Sequence, residues 1–122
     1  NGRRVSLRNP AEAKQHGIAL VTEDRKRDGL LLGAGIDRNA ELTVMRSISK
    51  FGIASKREER EVALRTIRRL GIHARGPEQV AGTLSGGNQQ KVVLSKWLAR
   101  GCRVLLLDEP TRGVDVGAKV EI

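Results

Sequence analysis

The sequence has almost no aromatic residues and a single cysteine. Aromatic residues make up 2% of its 122 residues, so any core has to be built mainly from Leu, Ile, Val and Ala. Aromatic platforms for stacking nucleic-acid bases are therefore not available. One cysteine, Cys102, cannot form an internal disulfide, which fits a reducing compartment. We interpret Cys102 as a small residue packed beside a strand rather than as a catalytic thiol.

Long apolar runs and clustered metal ligands are missing as well. No run approaches the roughly 20 apolar residues of a membrane span, and the N-terminal region has no signal-peptide core. We therefore expect a soluble, intracellular chain. The histidines, His16 and His73, lie far apart with no further Cys or His at ligand spacing, which argues against a zinc site. The length suits one modest domain.

Acidic residues are outnumbered by basic ones. With 23 Lys and Arg against 14 Asp and Glu, the formal net charge is +9, which by itself suggests an anionic partner. The basic residues are, however, interspersed with acidic ones, as in KREEREVALRTIRR and EDRKRD. This pattern is typical of solvated surfaces, and we favour that interpretation over nucleic-acid binding.

Turn and helix signals divide the chain into short elements. Asn9 and Pro10 predict a helix start and Gly17 its end, and the strand Ile18–Val21 follows. Further along we predict the following elements: a polar loop at 22–29, a marginal helix at 37–45, a connector at 47–54, a helix from the capping box of Ser55 and Glu58 to Gly71, a loop at 72–82, and a helix at 88–100 that ends at Gly101.

A glycine-bearing turn, LSGGNQQK, leads into the last of these helices. The first backbone N–H groups of a helix are unpaired, and the peptide dipoles make that end attractive to anions. Ser85 adds a hydroxyl donor, while Gly86 and Gly87 let the backbone approach a phosphate closely. The alternative is an ordinary N-capped helix. In the helix itself we assign Trp97 to the apolar face rather than to ligand stacking.

An aliphatic run, Val104–Leu107, stops at Asp108 and Glu109 and is followed by Pro110. It predicts a buried parallel strand that delivers two carboxylates to a loop. Magnesium is usually held by one or two carboxylates together with phosphates, so Asp108 suits a metal contact. Glu109 suits positioning or deprotonating an attacking water, which makes it the candidate catalytic residue.

The two motifs together, LSGGNQQK and LLLDEPTRGVD, resemble the ATP-binding subunits of ABC transporters. The extended forms, with GIALVTEDRKRDGL upstream, are most similar to the second nucleotide-binding domain of bacterial sugar importers of the ribose, galactose and xylose type. The resemblance implies ATP and Mg²⁺ as cofactors. It also implies that Ser85, Gly86, Gly87 and Gln89 contact the nucleotide of the opposite protomer, and that Asp115 lies where protomers touch.

The same resemblance draws attention to Glu23 in the loop after the first strand. Most of the family has a glutamine there, which contacts the magnesium and the attacking water. The resemblance therefore makes Glu23 a second candidate metal ligand, and the alternative is a surface salt-bridge loop.

The fold implied by the resemblance is α/β, a partial P-loop NTPase (ABC ATPase) domain with part of a mostly parallel core sheet and the helical subdomain. Residues 1–32 would form a core part with the Q-loop-like segment. Residues 33–100 would form the helical subdomain with LSGGNQQ. Residues 101–122 would supply the Walker B-type strand, the D-loop and the start of the next helix.

The function implied is that of an ATPase that energises sugar import at the cytoplasmic face of the bacterial inner membrane. Partners would be the transmembrane permease subunits, a second nucleotide-binding domain and, indirectly, a sugar-binding protein, with no nucleic acid. The chain lacks the phosphate loop GxxxxGK[ST], so we interpret it as an internal fragment that is not catalytic alone. Two alternatives remain: a non-catalytic module that docks on a membrane subunit, and a basic nucleic-acid-binding domain.

Overall fold

The computed structural model describes residues 4–43, 49–50, 53–54, 56–114 and 116–120. In chain order the elements are helix α1 (Pro10–Gln15), strand β1 (Ile18–Val21), a π-helical turn (Arg25–Gly29), α2 (Ile36–Glu41), β2 (Ser49–Lys50), β3 (Ile53–Ala54), α3 (Lys56–Arg69), a 3₁₀ turn (Ala81–Thr83), α4 (Gly86–Arg100), β4 (Val104–Leu107) and α5 (Val116–Lys119). The predicted α/β class is confirmed. Over the described part of the chain, no helix is both long enough and apolar enough to cross a membrane.

Helix α1 and strand β1 form as their sequence signals predict. The Asn9 side chain caps α1, because its Oδ1 accepts a hydrogen bond from the Glu12 backbone N–H at 2.9 Å. Pro10 occupies the first helical turn, where its missing N–H costs nothing. Gly17 has φ 76°, the left-handed conformation that commonly ends a helix. The chain then enters β1 directly.

Strands β1 and β4 pair in parallel, in a register that runs from Ile18 opposite Val104 to Val21 opposite Leu107. The parallel arrangement was predicted, but the predicted burial of β4 is wrong, since Leu106 is 51% exposed. Ala19 and Val21 of β1 are buried. Within the described residues the sheet has only these two strands, so most of β4 has no neighbour to cover it.

The segment between β1 and α2 is more ordered than the predicted polar loop. Asp24 caps the π-helical turn, because its Oδ1 accepts from the backbone N–H groups of Lys26 and Arg27, both at 3.1 Å. The predicted helix at 37–45 is observed as α2, which ends at Glu41. The connector predicted at 47–54 contributes β2 and β3, which pair antiparallel.

Helix α3 packs against α2, and α2 packs against α4. The predicted capping residue of α3, Ser55, lies outside the described residues. The end of α3 is marked by Gly71, which has φ 56°. The core between these helices and the sheet is aliphatic. It comprises Val21, Leu30, Ile36, Ile72, Leu84, Val92 and Val93. Trp97 packs against this cluster, in agreement with its predicted place in the apolar face.

Candidate functional site

Asp108 and Glu109 lie at the carboxyl end of β4, next to the carboxyl end of β1. The Asp108 backbone N–H donates to the Val21 carbonyl at 3.0 Å, which extends the parallel ladder by one residue. Both acidic side chains are exposed. Among the described residues, neither carboxylate has a hydrogen-bond or ion-pair partner. The two carboxylates are therefore available to a ligand.

Glu109 has φ 44°, the only left-handed non-glycine backbone found in the described part of the chain. Such a conformation costs on the order of 1–3 kcal/mol and persists only where the surroundings impose it. Here a tight turn follows, in which the Arg112 N–H donates to the Glu109 carbonyl at 2.9 Å. The left-handed residue thus lies where the chain leaves β4, which ends at Leu107, and enters this turn.

The turn at Ser85 is built around its side chain and that of Asn88. The Ser85 Oγ accepts hydrogen bonds from the Asn88 backbone N–H at 3.4 Å and from its Nδ2 at 2.9 Å. The Asn88 Oδ1 in turn accepts from the His73 N–H at 2.8 Å. Ser85 is exposed and its hydroxyl proton is not used in these bonds, so the hydroxyl can still donate to a ligand.

Gly86 begins α4 at a point of close approach to two other segments. A Cβ on this residue would lie 2.8 Å from the Gly113 carbonyl oxygen and 2.9 Å from the Arg25 Nη2. Glycine is therefore required by packing within the chain. From the sequence we interpreted Gly86 as a residue that lets the backbone approach a phosphate, and that role stays a prediction. The neighbouring Gly87 is buried.

Gln89 is held inside the molecule. Its side chain is buried, and its Nε2 donates to the carbonyls of Ala81 at 3.3 Å and Leu84 at 3.2 Å. These bonds tie the first turn of α4 to the segment that precedes it. The predicted contact of Gln89 with a nucleotide stays a prediction.

Glu23 follows β1 closely, as the sequence indicates, and forms an ion pair with Arg112 in the loop after β4. Both side chains are partly exposed, at 38% for Glu23 and 65% for Arg112. The role of Glu23 as a metal ligand stays a prediction, and Arg112 is its neutralising partner in this structure. Asp115, the predicted inter-protomer contact, lies outside the described residues.

Arg25 is the residue that sequence reasoning missed. It is 7% exposed, and its Nη1 and Nη2 donate to the carbonyls of Arg112 at 2.5 Å and Gly113 at 3.0 Å. It lies in a run of charged residues whose side chains are mostly exposed. Nothing in the local pattern distinguishes it from those neighbours, so no sequence signal pointed to it.

Two loops and one helix start therefore meet at the carboxyl edge of the sheet. Between the loops lies a cleft of about 290 Å³, which is lined by Glu23, Asp24, Arg25, Lys26, Arg112 and Gly113. Glu23 thus lies beside the turn that follows Asp108 and Glu109, through its ion pair with Arg112. Gly86 packs against the same turn, at Gly113.

The carboxylates at this edge suit a magnesium ion better than a metal held by protein alone. In the described ranges, no group of three His, Cys, Asp or Glu side chains is arranged to hold a metal ion. Magnesium usually retains waters and takes one or two carboxylates in addition to phosphates. An exposed pair at the end of a parallel strand, with no partner in the described part of the chain, fits that requirement.

Comparison with known proteins identifies the family in which these features occur. A profile of the ABC transporter family matches residues 3–112. The chain is 50% identical over 122 residues to the ribose import ATP-binding protein RbsA of Geobacillus kaustophilus, covering 100% of this chain and 25% of that protein. It is also 50% identical over 120 residues to the RbsA of Rhodopirellula baltica, covering 98% of this chain and 24% of that protein.

A relative that is named for a different sugar is equally similar. The arabinose import ATP-binding protein AraG 2 of Burkholderia thailandensis is 50% identical over 123 residues, covering 100% of this chain and 23% of that protein. The chain thus spans about a quarter of the length of the curated relatives it matches. Because the family profile covers most of its residues and includes both the Ser85 turn and the Asp108–Glu109 pair, the chain belongs to the ABC transporter family.

Proposed function

We propose that this chain is part of the ATP-binding subunit of an importer and that ATP hydrolysis there energises sugar uptake. The observation that carries the proposal is the exposed carboxylate pair of Asp108 and Glu109 at the end of β4, which has no partner among the residues that the structure describes. The relatives are named as ribose or arabinose import ATP-binding proteins, which supports the substrate class. Their names differ in the sugar, so we propose sugar import without naming one.

Each residue of the proposed site has a distinct task. Asp108 would hold Mg²⁺, with Glu23 as a second candidate that must first leave Arg112. When bound, Mg²⁺ neutralises phosphate charge and orients the phosphates. Glu109 would orient the attacking water and accept its proton. Its carboxylate has no described partner that would have to be displaced first.

The start of α4 would serve the nucleotide of an opposing domain. Ser85 retains a free hydroxyl proton, and the exposed start of a helix offers unpaired N–H groups to a phosphate. We propose that the backbone of Gly86 and Gly87 contacts that phosphate and that Gln89 supports the turn through its bonds to Ala81 and Leu84. Asp115 would contact the opposing domain.

This assignment implies an assembly. We propose residues 1–32 and 101–122 as parts of a core and 33–100 as a helical subdomain that carries the Ser85 turn. The partners would be a second nucleotide-binding domain, transmembrane permease subunits and, through them, a sugar-binding protein, at the cytoplasmic face of the membrane. The chain alone lacks the GxxxxGK[ST] loop, so we do not assign turnover to these 122 residues by themselves.

The proposal is tested by the metal dependence of ATP binding to the intact subunit. Asp108→Asn should reduce the gain in ATP affinity that Mg²⁺ confers by about tenfold or more, since one charge-assisted contact is lost. Asp28→Asn is the matched control, because Asp28 is exposed in the loop after β1 and, within the described part of the chain, forms an ion pair with the exposed Arg27 at 3.7 Å. Calorimetric titration with and without Mg²⁺ gives the comparison. An unchanged Mg²⁺ effect in Asp108→Asn would contradict the assignment.

A further inference from the structure

Arg25 places a buried charge between two loops of the site. Its side chain is withdrawn from solvent, while its sequence neighbours Lys26 and Arg27 are exposed. The guanidinium donates to two consecutive carbonyls, those of Arg112 and Gly113, at 2.5 and 3.0 Å. Its Nε has no hydrogen-bond partner among the described residues, so these two bonds are the polar contacts that compensate its burial.

A third segment reaches the same guanidinium. The position of a Cβ on Gly86 would be 2.9 Å from the Arg25 Nη2 and 2.8 Å from the Gly113 oxygen, so the start of α4 lies directly against the pair. The Glu23–Arg112 ion pair joins the same two loops on their outer side. Arg25 is therefore the point at which the loop after β1, the loop after β4 and the Ser85 turn contact each other.

We infer that Arg25 is a positioning residue that fixes the turn after Glu109 relative to the start of α4. This inference rests on the proposed function for its consequence in turnover, whereas its structural consequence can be measured separately. An arginine suits the task because its planar fork can reach two neighbouring carbonyls at once, whereas a lysine offers a single ammonium group. Replacing Arg25 by lysine keeps the charge but leaves one of the carbonyls without its donor.

The test compares Arg25→Lys with Arg27→Lys in the intact subunit. Arg27 is the control because it lies in the same loop, its side chain is 83% exposed, and its ion pair among the described residues is with the exposed Asp28. Hydrogen exchange without nucleotide should become faster in residues 22–30 and 108–114 of Arg25→Lys, with the protection of α3 unchanged. Arg27→Lys should match the wild type. A second variant, Gly86→Ala, crowds both the guanidinium and the Gly113 carbonyl without removing the arginine, and it should give the same local increase.

Turnover provides the second readout. We expect kcat of Arg25→Lys to fall by about tenfold, with half-saturating Mg-ATP changed less than about threefold, because positioning is lost while nucleotide contacts stay. Unchanged exchange at 108–114 in Arg25→Lys would overturn the inference, as would loss of protection along all of α4, which would make Arg25 a general core residue. Absence of ATP hydrolysis by the wild type would instead contradict the proposed function and leave the exchange result to decide on Arg25.

Discussion

Glu41 is a carboxyl group with 0% exposure, at the end of α2. Its Oε1 accepts a hydrogen bond from the Arg38 Nη1 at 3.1 Å, whereas its Oε2 has no hydrogen-bond partner in the described part of the chain. Burial raises the pKa of Glu41, and the nearby charge of Glu59 acts in the same direction, while Arg38 lowers it. The folded chain therefore holds a proton on Glu41 at pH values where the unfolded chain has released it.

The sign of the resulting pH dependence is fixed by linkage. Just above the ordinary pKa of 4.5 the folded state binds more protons, so the free energy of unfolding should fall as pH rises through this window. Glu41→Gln cannot ionise, and its amide keeps an acceptor for Arg38. We expect it to remove this part of the slope, so that its stability relative to the wild type rises as the pH rises through this window. Urea unfolding of both proteins at several pH values measures the effect.

A steeper slope in Glu41→Gln than in the wild type would contradict this account. Glu61→Gln is the matched control, because Glu61 is an exposed glutamate on α3 that pairs with Arg57 at 3.3 Å. Exposed pairs of this kind contribute little to stability, so the control should follow the wild type.

At the scale of elements, helix α2 stabilises the loop that precedes it. Asn39 is fully buried, and its Oδ1 accepts from the Leu31 N–H at 2.8 Å. Its Nδ2 donates to the carbonyls of Leu31 at 3.0 Å and Gly35 at 2.9 Å. One amide side chain thus satisfies backbone groups at both ends of the loop, which positions α2 against α3 and α4.

Asn39→Ala should lower the free energy of unfolding more than replacement of an exposed polar residue does. It removes the partly buried hydrogen bonds of the Asn39 side chain to Leu31 and Gly35, and each such bond contributes about 0.5–1.5 kcal/mol. We expect a loss of at least about 2 kcal/mol in urea unfolding, since more than one group is affected. Arg65→Ala on the exposed side of α3 is the control and should change little. An Asn39→Ala protein as stable as the control would contradict the structural role.

Helix α4 shows which features of a helix depend on local sequence and which depend on tertiary packing. Its end at Gly101, which has φ 72°, was predicted and is observed, because this stop depends on nearby residues alone. Its start lies at Gly86, two residues before the predicted start at 88, with Ser85 as N-cap. Its buried side was predicted from apolar residues only. The structure also buries Lys96, whose Nζ donates to the Gly29 carbonyl, and burial lowers the pKa of this lysine.

At the scale of the molecule, helices and strands with a clear local sequence pattern could be predicted. Contacts between residues far apart in the sequence could not. The parallel character of β4 was predicted from its apolar run, but its pairing with β1 and the exposure of Leu106 depend on which segments lie beside it in the fold. Arg25 was missed because its two acceptors lie 87 and 88 residues further along the chain. A charged run in sequence does not reveal which of its members folds inward.

The chain by itself should bind Mg-ATP weakly. It contains the carboxylate pair and the Ser85 turn but no GxxxxGK[ST] loop to hold the phosphates. We expect no binding below about 1 mM in a calorimetric titration, which corresponds to about 4 kcal/mol or less of binding free energy. Circular dichroism of the same sample establishes that it is folded. Micromolar binding would show that the site is more complete than we propose.

The central claim is that Glu109 serves the water in a nucleotide site of the intact subunit. Its most direct test is turnover and ATP binding measured together on Glu109→Gln, a substitution that preserves shape and removes the basic carboxylate. We predict that turnover falls by about 10²- to 10⁴-fold, the usual contribution of a general base, while ATP binding is retained. Full ATPase activity in Glu109→Gln would contradict the role assigned to this residue.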